Sequence, residues 1–122
     1  FMIRYAAAIC VMASAVDAQS VKLDGNEIGA LLTGNTVVGV WEGANYRQFF
    51  GADGVTIYAQ ENARSTRGEW RIEGEEYQSI WRNDANWNGW FVMEYAGQWF
   101  WVSKTTPPTP FEVLEGEQLI AE

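Results

Sequence analysis

The chain contains no histidine and a single cysteine, Cys10. Without histidine, the Ser–His and Cys–His nucleophile arrangements are excluded. Zinc sites built on nitrogen or sulfur ligands are excluded with them. Residues 19–122 hold no thiol and no disulfide, so a fold there stands without a covalent staple. Basic residues are scarce, 8 against 16 acidic ones, for a net charge of −8. Nucleic acid and anionic membrane surfaces are poor partners for such a surface. The apolar run from Tyr5 to Val16 covers about a dozen residues, short of the ~20 that a membrane-spanning helix needs.

What the sequence has in quantity is aromatic side chains. Six of the seven tryptophans fall between Arg67 and Lys104, and such residues dominate the burial energy of a small domain. A chain of 122 residues is one domain at most. Its first eighteen residues stand apart: Arg4 is followed by an alanine-rich apolar run, and Val16-Asp17-Ala18 puts small residues where a signal peptidase reads. This pattern predicts a secretory signal over residues 1–18, cleaved after Ala18, and a periplasmic or secreted domain over residues 19–122. The alternative is an uncleaved anchor, for which the run is short. No span is expected in the mature chain.

The segment order predicts an all-β protein: an antiparallel up-and-down barrel or clam-like sheet of about eight strands with a short N-terminal helix. Gln19 to Leu23 reads as a leader. Asp24 with Glu27 forms a capping-box pattern, and Ile28, Leu31 and Leu32 make one apolar stripe before Gly34. Strands are expected over 35–42, 46–50, 55–60, 67–73, 75–82, 87–95, 98–104 and 111–114, with 118–121 as a candidate ninth. Gly43-Ala44-Asn45 and Asp53-Gly54 read as turns, and the proline-bearing stretch 105–110 as a loop. The clearest strand has Gly68, Trp70 and Ile72 on one face and Arg67, Glu69, Arg71 and Glu73 on the other.

In the hairpin 87–104 both faces are apolar. Phe91, Met93, Tyr95, Phe100 and Val102 fall on the face opposite the inward one, so they are either covered by the helix stripe or form an interface with a second copy or a protein partner. Tyr77, Trp81, Trp90, Trp99 and Trp101, with Arg71, Arg82 and Glu94, are the candidate residues for an apolar or aromatic small ligand at a barrel mouth. A carboxylate such as Glu94 among aromatics either rises in pKa or pairs with Arg71 or Arg82. Asn83-Asp84-Ala85-Asn86 with Asn88 offers oxygens but no calcium-loop pattern. No catalytic residue, metal ligand or cofactor is assigned.

Gly39-Val40-Trp41, after a short helix, resembles the Gly-x-Trp pattern of calycin barrels. A resemblance covering more of the chain rests on Leu32-Thr33-Gly34-Asn35-Thr36, Phe49-Phe50-Gly51-Ala52-Asp53-Gly54, Arg67-Gly68-Glu69-Trp70-Arg71-Ile72 and Tyr77-Gln78-Ser79-Ile80-Trp81. Together these are similar to a proteobacterial family of small exported β-rich proteins of unknown function. The resemblance implies fold and export and brings no activity. The functional expectation is a binding protein for an apolar or aromatic small ligand or a protein partner. Its alternatives are an inhibitor or accessory subunit of an exported enzyme or complex, and a carboxylate- or tyrosine-based enzyme.

Overall fold

The computed structural model describes residues 19–120, so the expected signal segment, residues 1–18, lies outside the described residues. In chain order the elements are β1 (Val21–Lys22), α1 (Gly25–Leu32), β2 (Thr36–Trp41), β3 (Ala44–Phe50), β4 (Val55–Gln60), β5 (Thr66–Glu73), β6 (Glu76–Ile80), β7 (Asn88–Tyr95), β8 (Gln98–Val102) and β9 (Thr109–Leu114). Each strand from β2 to β8 pairs antiparallel with the next, and β9 returns to β2. The result is a closed eight-stranded up-and-down barrel with β1 as an added strand. Of the two expected arrangements, barrel and open clam, closure through Thr36↔Leu114 to Gly39↔Phe111 selects the barrel. Among the described residues, no helix is long and apolar enough to cross a membrane.

Directly paired residues share a face of an antiparallel sheet, so one parity runs round the barrel. Val37 pairs with Gln48, Gln48 with Tyr58, Trp70 with Ser79, and Val92 with Trp101. These inward positions carry the core: Val37, Phe50 and Val92 are fully buried, with Trp70, Tyr77, Trp101 and Phe111 nearly so. Gly68, Trp70 and Ile72 face in, while Arg67, Glu69, Arg71 and Glu73 are exposed, as the alternation predicts.

The capping box of α1 forms as expected: Glu27 N donates to Asp24 Oδ1 at 2.8 Å and Asp24 N donates to Glu27 Oε1 at 2.9 Å. The helix does not lie on the outer face of the β7–β8 hairpin. It closes one end of the barrel against β5 and β6, and Ile28 and Leu32 join the core with no exposed surface. A two-turn helix with two fully buried side chains matches the round end of a barrel better than a long strip on its wall.

Four boundaries differ from the sequence reading. The leader is a strand: Val21 pairs with Glu94 and Lys22 with Met93, and Leu23 N donates to Val92 O at 2.9 Å. It occupies the edge of β7 that β6, paired only with Asn88 to Trp90, leaves open. Residues 118–120 form no strand; they strap the outer wall, with Gln118 N donating to Thr36 Oγ1 at 2.8 Å and Arg47 Nη1 to Gln118 O at 2.7 Å. Thr109 and Pro110 open β9, with Pro110 opposite Phe100. Proline is tolerated at the start of a strand, where a missing N–H costs little. The first hairpin turns on Glu42 and Gly43, at φ +50° and +83°, which carries Ala44 and Asn45 into β3.

Candidate functional site

The helix end of the barrel is filled. Phe50 meets Trp70 edge to face at 5.3 Å, and Trp101 stacks on Phe111 at 4.2 Å. Towards the opposite end the inward side chains leave an open cup of about 460 Å³. That size lies within the ~300–1,000 Å³ of small-ligand pockets.

The cup has a polar floor. Trp101 Nε1 donates to Tyr46 Oη at 3.1 Å. Gln48 Nε2 donates to Tyr77 Oη at 3.0 Å and to Thr56 Oγ1 at 2.9 Å, and Thr56 in turn donates to Phe49 O. Burial pushes the Tyr46 phenol up to about 12, against the hydrogen bond from Trp101. Burial also pushes Tyr77 up to about 12, against hydrogen bonds from Ser79 and Gln48. Both phenols are therefore harder to ionise than an exposed tyrosine.

The rim is aromatic. Trp41 meets Trp90 at 5.7 Å and 87°, and Tyr58 meets Trp81 at 6.1 Å and 72°. Tyr58 also stacks on Tyr46 at 5.2 Å, tying rim to floor. Glu42, at the strained first position of the β2–β3 turn, joins the lining beside Trp41. Burial raises the Tyr58 pKa, and the Glu42 carboxylate raises it further.

Two local devices set the shape of this rim. Gly68 leaves the space that Trp81 fills: a Cβ there would lie 2.5 Å from Trp81 Cε3 and 2.7 Å from Ile80 O. Asp84 Oδ2 accepts from Trp81 N at 3.0 Å and from Asn88 Nδ2 at 2.9 Å, fixing two lining residues. The oxygen-rich loop 83–86 is thus a turn. Among the described residues, no group of three His, Cys, Asp or Glu is placed to hold a metal.

Of the residues singled out from sequence, the structure brings Tyr77, Trp81, Trp90 and Trp101 together in the cup. Arg71 is on the outer wall, its guanidinium 4.1 Å over the Trp87 ring and its Nε donating to Gln78 Oε1 at 2.8 Å. Parity decides this, since Arg71 lies between the inward Trp70 and Ile72. Arg82 is exposed in the turn after β6 and is not among the lining residues. Glu94 and Trp99 face one another on the inward parity, outside the cup, and Trp99 packs on the core. Among the described residues Glu94 is paired with neither arginine; the ion pairs there are Lys22–Glu75 at 2.8 Å and Arg71–Glu73 at 3.9 Å.

Phe91, Met93, Tyr95, Phe100 and Val102 do form a strip on the outer wall, through Phe91↔Val102 and Met93↔Phe100. Lys22 Nζ lies 4.6 Å over the Phe91 ring, and Tyr95 is 44% exposed. A wider groove of about 760 Å³ runs between β2, β3 and the C-terminal strap. Outward residues of mixed character such as Val40, Arg47 and Glu112 line it, so it lacks the convergent aromatic faces of the cup.

Sequence reasoning missed Trp41, Tyr46, Gln48 and Tyr58 as lining residues. The alternation Tyr46-Gln48-Phe50 was the available signal, and the Gly-x-Trp pattern had already marked Trp41. No protein-family model, curated protein or solved structure matches the chain.

Proposed function

We propose that this chain is a binding protein that takes one apolar or aromatic small molecule into the open end of its barrel. The observation that carries the reading is the cup of about 460 Å³, walled by Trp41, Tyr58, Trp81 and Trp90 over the Tyr46, Gln48 and Tyr77 floor. Enzyme chemistry is less favoured. Glu42 is the only carboxylate lining the cup among the described residues, where glycosidase-type catalysis needs two. The alanine-rich run before Ala18 supports an exported location, and native protein beginning at Gln19 by mass spectrometry is the expected result.

Titration with the neutral dye N-phenyl-1-naphthylamine tests the binding reading. Saturable one-to-one binding is expected, weakened in Trp90→Ser and kept in Phe100→Lys on the outer wall. Absent binding, or binding lost only in Phe100→Lys, overturns it. The second of these results would favour a second reading, association of two chains through the partly exposed outer strip. Concentration-dependent mass in sedimentation is the signature of that association.

A further inference from the structure

We infer that the cup selects an organic cation: a small molecule with a substituted ammonium group beside an apolar body. This rests on the cup being a ligand site and adds the charge of the ligand. Four observations lead to it. The rim rings form two near-perpendicular pairs, Trp41 with Trp90 and Tyr58 with Trp81. In each pair the edge of one ring meets the face of the other, and the ring faces carry the negative end of the quadrupole. Glu42 adds a full negative charge to the lining, close enough to Tyr58 to be felt by its phenol. Gln48 spends both amide hydrogens on Tyr77 and Thr56, and among the described residues its carbonyl oxygen accepts no hydrogen bond.

The fourth observation concerns cations of the protein itself. Among the described residues, neither lysine nor arginine lines the cup. Arg71 is held on the outer wall by Trp87 and Gln78, and Lys22 by Phe91 and Glu75. An anionic ligand would enter a lining that offers it a carboxylate and ring faces, inside a chain of net charge −8. A cation meets the opposite field, with the exposed Glu42 carboxylate at the edge of the opening.

The test uses three benzene derivatives that differ in charge. Phenyltrimethylammonium is a cation, tert-butylbenzene is its neutral isostere, and benzenesulfonate is an anion. Binding to the intact protein is read by quenching of tryptophan fluorescence at low salt. The expected result is a Kd for the cation at least ~10-fold below that of the isostere, with the sulfonate weakest. Glu42→Gln should reduce that preference several-fold, with an unaltered circular dichroism spectrum showing that it is folded, whereas Glu69→Gln on the outer wall should leave the preference unchanged. Equal binding of cation and isostere, or a preference that survives Glu42→Gln undiminished, overturns the charge assignment and leaves the ligand site standing. Binding of neither these compounds nor the naphthylamine dye removes both.

Discussion

Replacing Trp70 with alanine probes the filled end of the barrel. Its side chain is 8% exposed and meets Phe50 at 5.3 Å and Tyr77 at 6.4 Å. Its Nε1 donates to Gly51 O at 2.8 Å. Trp70→Ala removes a large buried ring and leaves a cavity, at a cost of ~3–5 kcal/mol. The lost hydrogen bond adds little, because Gly51 O still accepts from Gly54 N at 3.1 Å. Trp70→Phe keeps most of the ring and gives up the indole donor, so about 1–2 kcal/mol is expected. Glu69→Ala, one residue away on the outer wall, should stay within ~0.5 kcal/mol. Total stability for a domain of this kind is ~5–15 kcal/mol, so the alanine variant loses a large fraction. In urea, with a slope of ~2 kcal/mol/M, the midpoint should fall by roughly 2 M for Trp70→Ala and hardly move for Glu69→Ala. Equal midpoints for these two variants would refute the inward and outward assignment of β5, and with it the parity of every strand paired to it.

The remaining predictions concern the cup and its floor. Gly68→Ala sets a Cβ 2.7 Å from the Ile80 carbonyl, a backbone atom; a loss of ~1–3 kcal/mol and weaker dye binding are expected, and full-strength binding would show that Trp81 does not shape the rim. Tyr46 and Tyr77 are raised to about 12 in the folded state, against ~10 in an unfolded chain. The native state therefore holds these protons where the unfolded state has released them. Their contribution to stability is full below pH ~10 and is lost as pH climbs towards ~12, by up to about 3 kcal/mol for each tyrosine. Urea midpoints between pH 9 and 11.5 check this, and a flat profile counts against burial of the phenols. Tyr77→Phe should make that profile shallower, although Gln48 then loses one acceptor.

Strand periodicity made the barrel wall legible. Gly68-Trp70-Ile72 and its charged counterface gave the correct parity, and Asp24 with Glu27 gave the helix start. What periodicity does not carry is closure. Arg71 and Arg82 are candidates for the mouth because arginines suit an aromatic cluster, but side-chain parity sends Arg71 out and the turn leaves Arg82 exposed. Trp99 and Glu94 have the inward parity and still miss the cup, because height along the barrel depends on strand tilt, which a single strand does not reveal. The helix stripe posed the same difficulty. Ile28 and Leu32 announce a docking face, yet whether that face meets the wall or the open end depends on the assembled barrel. Val21 and Lys22 have too little pattern to be read as a strand, and they pair only because β6 leaves the edge of β7 vacant.

Closure between β2 and β9 has a kinetic consequence. The other seven barrel pairings join successive strands, whereas Thr36 meets Leu114 and Gly39 meets Phe111 across more than seventy residues. The loop-closure entropy of that pairing is met late, after the local hairpins have formed. Until then β2 and β9 each present an unpaired edge, Thr36 to Gly39 on one and Phe111 to Leu114 on the other. An open sheet with such an edge is the species most prone to pair with another chain. Refolding yield should therefore fall as protein concentration rises, while the rate-limiting phase reports the arrival of β9. Amides bridging β2 and β9 would gain protection from hydrogen exchange last.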